Sequence, residues 1–396
     1  MSLIAASGTF AADKVAITAT HDLADARPAE TIVVPWNEIA QALPGVEIQH
    51  LAVKDAAGHS LPYQVTHGSS ADYATQGTEG NYDALVFQHD FAAGEKSAVF
   101  TVIKTANVAP VFPAQVFARF VPERLDDFAW ENDRIAHRTY GQALQAPAAP
   151  GSGKEVLIAS GLDVWCKRVR YPIIDRWYNI GRYHDDVGEG MDQYHVGSSR
   201  GCGGTGVWDG KQLHVSRNYQ TWKVLANGPI RAIFELTYEA WSADGVIVSE
   251  TKRFTVDAGH NLDQIDSTFT VVGSAKPLIV GIGLNKGPVD ADQAVRTVLT
   301  PTPAAGSLTQ WFEQKTNGAI GTAIIVPGAP FQGYAEDDRN QLILAQATPG
   351  QPLRYYAGAA WSKAGDFATA PEWNAYVAAW AARLRAPLKV TVTPVT

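Results

Sequence analysis

The feature that most restricts the fold is the run from residue 231 to residue 272, where three long stretches of strand-type sequence follow one another with only tight turns between them. The segment 231–239, RAIFELTYE, alternates polar and apolar residues, and successive side chains of a strand point to opposite faces, so one face is buried and the other is wet. Residues 246–256 and 265–272 carry the β-branched and aromatic side chains that suit a pleated, half-buried surface. Ala-Asp-Gly at 243–245 joins the first two stretches as a hairpin would, and Asp-Ala-Gly at 257–259 bends the chain before the third. The expected fold is therefore mainly β: a large antiparallel β-sandwich with few helices.

At 396 residues the chain is long for one core. Short strands expected at 31–35, 46–53, 85–89 and 97–104, around a polar loop at 67–81, make a smaller N-terminal β region over 15–115. The main body then spans 116–396, and residues 1–14 read as an export-signal remnant or a frayed terminus. The Pro- and Ala-rich QAPAAPGSGK at 145–154 reads as a flexible crossing between the two regions, or as a long loop at the site. One helix is expected over 371–384, where Trp373, Tyr376, Val377, Trp380 and Leu384 recur at helical spacing behind Pro371.

A formal charge of −8 and no basic cluster beyond Lys167-Arg-Val-Arg170 argue against a nucleic-acid partner. No run of eighteen apolar residues appears, so no membrane insertion is expected. Cys166 and Cys202 are too few for a disulfide scaffold or a zinc cluster and are expected as unpaired thiols. The glycines of Arg200-Gly-Cys-Gly-Gly-Thr-Gly206 lack the context of a P-loop or a dinucleotide fold, so no nucleotide cofactor is expected; they serve close backbone approach instead. No Gly-x-Ser-x-Gly elbow is present.

Three constellations carry polar chemistry. In residues 128–140, FAWENDRIAHRTY, an extended chain would put Glu131, Asp133 and His137 on one face and Trp130, Arg134, Arg138 and Tyr140 on the other. In residues 163–178, Trp165 and Tyr178 are candidates to stack on sugar rings, and Lys167, Arg168 and Arg170 to hold a carboxylate. The third is YHDDVGEGMDQYHVGSSRGCGG at 183–204, preceded by Arg182, with Arg200 near its end. Its His184, Asp185, Asp186, Glu189 and Asp192 form a dense set of oxygen and imidazole donors, with Gly188 and Gly190 able to fold them towards one point. A divalent ion such as calcium, a general acid/base pair and a solvated loop are the three readings of that set.

Four motifs, WENDRIAHRTYG at 130–141, SGLDVWCKRV at 160–169, the 183–204 stretch and GAAWSKAGDF at 358–367, with LADARPAETIVVPWNEI at 23–39, resemble the bacterial domain-of-unknown-function family 4861. The resemblance implies a β-supersandwich similar to that of galactose mutarotases and several polysaccharide lyases, in proteins exported by bacteria that degrade plant or algal polysaccharides. A periplasmic or secreted location follows as an expectation.

The leading expectation is an enzyme acting on acidic, uronate-containing oligosaccharides. In a lyase, Arg134 neutralises the carboxylate, His184 takes the C5 proton, and Tyr178 or Tyr194 protonates the leaving oxygen. In a hydrolase, Glu131 or Asp133 faces Asp186 or Glu189 across the bond. Trp130, Arg134, His137 and Trp165, with Lys167, Tyr178, Arg182 and Arg200, are the expected sugar-binding residues. A sugar mutarotase or isomerase and a non-catalytic glycan binder are the alternatives.

Overall fold

The computed structural model describes residues 13–68 and 82–395. Most of the expected signal remnant, and residues 69–81 of the polar loop, lie outside the described residues. The chain divides into two compact units, Met1–Pro113 with Ala386–Thr396, and Ala114–Arg385.

In the first unit a five-stranded sheet runs Lys389–Pro394, Lys14–Thr20, Ser97–Lys104, Leu51–Lys54, Ser60–Leu61, and a three-stranded sheet runs Arg27–Pro35, Ala84–Phe91, Tyr63–Thr66. Phe87 of the smaller sheet meets Phe100 of the larger edge to face, ring centroids 4.9 Å apart, a favoured aromatic geometry. Residues 386–396, expected in the main body over 116–396, belong to this unit instead. Val15 through Thr20 pair antiparallel with Pro394 through Lys389, so the last strand closes an edge that the first would otherwise leave open.

The second unit holds the long meander. Arg231–Ala243, Val246–Asp257 and Leu262–Val272 pair antiparallel inside an eight-stranded sheet completed by Thr221–Ala226 on one side and by Pro352–Trp361, Ile320–Ile325, Ser307–Gln314 and Ala294–Thr302 on the other. Ala243 pairs with Val246 across Asp244 and Gly245, whose φ values of 45° and 79° are both left-handed, the two-residue hairpin geometry that Asp-Gly favours. A five-stranded sheet faces it, in the order Leu213–His214, Cys202–Trp208, Leu278–Asn285, Asn340–Ala347, Phe331–Glu336. Val280, Ile282 and Ile343 of this sheet share one buried core with Phe254, Ile265 and Ile324 of the other. The molecule is thus mainly β, built from antiparallel sheets. The expected helix is Ala370–Arg385. It lays Trp373, Val377 and Trp380 against Trp311, Ala323 and Tyr356 of the large sheet, and the Trp373 indole donates to the Thr322 carbonyl at 3.1 Å. No helix among the described residues is long and apolar enough to cross a membrane.

The segment 145–154 is not a crossing between units, because both its ends lie within Ala114–Arg385. The third five-stranded sheet carries three of the four motifs, in the order Gly190–Asp192, Asp163–Lys167, Ala136–Thr139, Asp127–Glu131, Phe117–Val121.

Candidate functional site

The segment 128–140 is a hairpin rather than one extended piece. The Asn132 side-chain oxygen accepts the backbone N–H groups of Arg134 and Ile135 at 2.8 and 3.1 Å, and this turn folds Ala136 back onto Glu131 and His137 onto Trp130. The expected division of faces fails for that reason: Trp130 and His137 lie on the same side, their rings stacked at 5.4 Å. Both are buried. The Trp130 indole donates to Asp263 Oδ2 at 2.8 Å, and the His137 imidazole, with Nδ1 on the Asp163 carbonyl at 2.9 Å, has its pKa pushed down to about 4 by burial. Neither is placed to touch a sugar.

Glu131 is a structural carboxylate. Its oxygens take the Lys167 ammonium at 2.7 Å and the backbone N–H groups of Ile173 and Ile174 at 2.8 and 2.9 Å, where the helix Ile174–Ile180 begins. Lys167, also buried, has its pKa pushed down by burial and held up in part by Glu131. Asp133 accepts the Gly259 amide at 2.5 Å and pairs with Arg134 at 3.2 Å. A glycosidase pair that uses Glu131 is therefore absent.

On the outer face of the same sheet, beneath that helix, Arg138 gathers three aspartates: Asp163 at 2.7 Å, Asp192 at 2.8 Å and Asp127 at 3.4 Å. Trp165, read as a stacking platform, is buried here between Trp177 and Tyr183, at 5.4 and 4.9 Å, and Tyr178 donates to Asp127 Oδ2 at 3.1 Å. Burial raises Asp127 to about 6 against the pull of Arg138 and Arg124, and burial with the neighbouring Asp163 raises Asp192 well above the usual carboxylate range. A folded pKa of about 6 lies above the unfolded value of about 3.9. The resulting stability is fully present below pH 4 and is lost as pH rises through about 6, about 3 kcal/mol in all. Asp127→Asn, which keeps the Tyr178 bond, should remove this slope. Urea unfolding near pH 4 and near pH 7.5 tests it, and an equal wild-type-to-variant difference at both would overturn it.

The loop after the helix does not gather its donors around one point. Asp185 pairs with Arg182 at 2.9 Å, Asp186 with Arg168, Glu189 with Arg176 at 3.1 Å, and Asp192 with Arg138. The metal reading of His184, Asp185, Asp186, Glu189 and Asp192 is corrected accordingly: among the described residues no three His, Cys, Asp or Glu side chains are grouped to hold an ion. Each carboxylate has found a cation, Asp192 sharing Arg138 with Asp127 and Asp163, which satisfies it better than mutual repulsion around one point would. Burial works to raise Asp186 and Glu189, but the Gly188 amide and Arg168 outweigh it at Asp186, and Tyr171 and Trp177 with Arg176 at Glu189, so both stay below the usual range. Gly190 is required where this loop joins the sheet: its φ is 132°, and an added Cβ would fall 2.0 Å from the Cys166 carbonyl oxygen.

His184 stands apart. Its side chain is 63% exposed, its Nδ1 lies 3.1 Å from the Asp192 carbonyl and 3.5 Å from Asp192 Oδ2, and Nε2 has no protein partner among the described residues. With oxygen acceptors at Nδ1, the proton of the neutral ring sits there and leaves Nε2 as the free base.

Arg168, the ion-pair partner of Asp186, lies over the Trp361 ring at 4.8 Å. Arg134 and Arg170 both donate to Asp366 Oδ1, at 2.6 and 2.8 Å. Residues of all four motifs therefore meet in one arginine-rich patch. Tyr171 is about half exposed and donates to Glu189 Oε1 at 2.6 Å, a bond that raises its pKa and keeps the phenol protonated. It replaces Tyr178 and Tyr194, which are buried, as the tyrosine within reach of a ligand. The RVRYP run at 168–172 was its only sequence signal. Asp127 gave none, and Arg138 and Asp163, though they lie in the motifs, carried no sign of their pairing, since only the sheet register brings the three together. Arg182 is exposed on its Asp185 partner, and Arg200 is buried and donates to Ser160 Oγ at 2.8 Å. Cys166 and Cys202 are free and buried.

Fold and site together define an antiparallel β-sandwich protein with an exposed histidine on the loop whose Asp186 and Glu189 hold Arg168 and Tyr171. The chain belongs to the family described as Domain of unknown function (DUF4861), which matches residues 19–390. A relative from Formosa agariphila, titled "Uncharacterized protein P7", is 30% identical over 391 residues, 95% of this chain and 93% of its own. Solved structures similar to it include an alpha-mannosidase from Enterococcus faecalis V583, with TM-score 0.46, 8% identity and coverage of 96% of this chain and 46% of that one. A protein in the Glycosyl Hydrolase Family 38 from Enterococcus faecalis gives TM-score 0.44, 9% identity and coverage of 96% and 47%. The chain spans about half the length of those two.

Proposed function

We propose that this protein is a carbohydrate-active enzyme that cleaves acidic, uronate-containing oligosaccharides by β-elimination, in the periplasm or outside the cell. The observation that carries the reading is His184, with Nδ1 turned onto Asp192 and Nε2 open to solvent, on the loop whose Asp186 holds Arg168. Arg168 and Arg170 neutralise the uronate carboxylate, which makes the C5 proton acidic enough to remove. His184 Nε2 takes that proton, the electron pair forms the C4–C5 double bond, the C4–O bond breaks, and Tyr171 gives its proton to the leaving oxygen. Glu189, bonded to the Tyr171 hydroxyl, orients it.

The test is incubation with a panel of galacturonate, mannuronate, guluronate and glucuronate oligosaccharides, following both ultraviolet absorbance of the unsaturated product and reducing ends. A rise in both on at least one substrate is expected. Reducing ends without the absorbance would mean hydrolysis, and no change in either across the panel would overturn the enzyme reading.

A further inference from the structure

A polar cleft of about 760 Å³ opens beside the five-stranded sheet that holds Cys202–Trp208 and shares none of its lining with the residues placed around His184. Its volume falls in the range of sites for small ligands, ~300–1,000 Å³. We infer that this cleft is a separate binding site for an acidic oligosaccharide.

The charge pattern carries the inference. Arg200, Lys211, Lys286 and Arg339 line the cleft in a chain whose formal charge is −8. Its acidic lining is already largely committed. Glu336 pairs with Lys286 at 2.8 Å, and Asp337 accepts the backbone N–H groups of Arg339 and Asn340 at 2.8 and 2.7 Å to close its own turn. The Lys211 ammonium has no protein partner among the described residues, and Arg339 rests only on the Ser198 hydroxyl. Two cations, one on each of the hairpins that flank Leu278–Asn285, are thus left to meet an anionic group, while the Asp338 carboxylate, also without a partner there, can accept sugar hydroxyls.

The floor is built to be close and rigid. Arg200 lies flat on the sheet because residue 283 is glycine: an added Cβ would sit 2.6 Å from Arg200 Cβ. The Arg200 backbone N–H is fixed by Asn340 Oδ1 at 2.7 Å, and burial brings its pKa down only to about 10, so it stays charged at neutral pH. Leu213 adds an apolar strip to the lining, suited to the C–H face of a pyranose ring. A neutral glycan would leave Lys211 and Arg339 unmatched, whereas a uronate satisfies them by charge-assisted bonds.

For its sugar class the inference rests on the proposed function, but not for its chemistry. Calorimetric titration with trigalacturonate and trimannuronate, and with maltotriose as the neutral control, tests it on wild type, on His184→Ala and on Lys211→Ala/Arg339→Ala. At least one uronate trimer should bind wild type and His184→Ala alike, weaken with added salt, and in the double variant lose one class of site, whose affinity falls about tenfold or more, while the Arg168 and Arg170 site is kept. Both substituted side chains reach solvent, so circular dichroism should confirm an unchanged fold. Equal binding by the double variant, equal binding of maltotriose, or no uronate binding to wild type overturns the site. Uronate binding that needs Lys211 and Arg339, in a protein that turns over no substrate, would keep the site and remove only the enzyme reading.

Discussion

Replacing Glu131 by Ala should cost about 3–5 kcal/mol of folding stability, the usual loss when one partner of a buried ion pair is removed. Glu131 and Lys167 are 1% and 0% exposed in their side chains. Without the carboxylate, Lys167 keeps only the carbonyls of Asn132 and Tyr171, both at 2.9 Å, and the Ile173 and Ile174 amides lose their acceptor. The Lys167 pKa, already lowered by burial, should fall further. A base whose folded pKa is depressed releases its proton on folding, so the variant should recover stability as pH rises towards the unfolded lysine value of about 10.4. Glu131→Leu with Lys167→Met should recover part of the loss, since no buried charge is left unpaired although the Ile173 and Ile174 amides still lack their acceptor. Urea unfolding of the three proteins at two pH values checks this. A loss below about 1 kcal/mol in Glu131→Ala would mean that the pair is not the anchor of the helix.

His184→Ala should lower kcat/KM on the cleaved uronate by roughly 10²–10⁴-fold, the range for loss of a general base. The side chain is 63% exposed, so the melting temperature should stay nearly unchanged, which separates lost chemistry from lost fold. Asp192→Asn should give a smaller rate loss with an altered pH profile, because its carbonyl still holds Nδ1 while the carboxylate behind the ring is gone. That variant also disturbs Arg138, so its melting temperature should change where that of His184→Ala does not. An unchanged rate in His184→Ala removes this residue from the mechanism.

The meander at 231–272 was legible because its period of two is a local property: each strand declares its buried face in its own residues. The Asp-Gly turn and the C-terminal helix were legible for the same reason. The hairpin at 128–140 was not, because the signal for its turn is one asparagine, whose side chain substitutes for backbone acceptors. The dense loop at 183–192 was correctly picked out as polar and glycine-rich, yet its donors do not meet. Proximity in sequence does not say which cation each carboxylate will reach, and here Arg138, Arg168, Arg176 and Arg182 divide them.

The aromatics show the same limit. Trp130, Trp165 and Tyr178 have the composition of a sugar platform, but a large ring in a sheet protein gains most by burial, and all three are core. Tyr171 lies in the same stretch and is the one left exposed.

What the sequence by itself determined is therefore the class: antiparallel strands in layers, one amphipathic helix, and four polar motifs, all of them consequences of periodicity and turn chemistry acting over a few residues. Which polar groups are left open to a ligand was decided only by the tertiary structure. Sheet register put Arg138 among three aspartates and buried them, while the turn of the 181–189 loop left His184 with one nitrogen on Asp192 and the other in water. Burial and pairing fix the charge state and reach of every polar group, and both are set by residues far away in the chain.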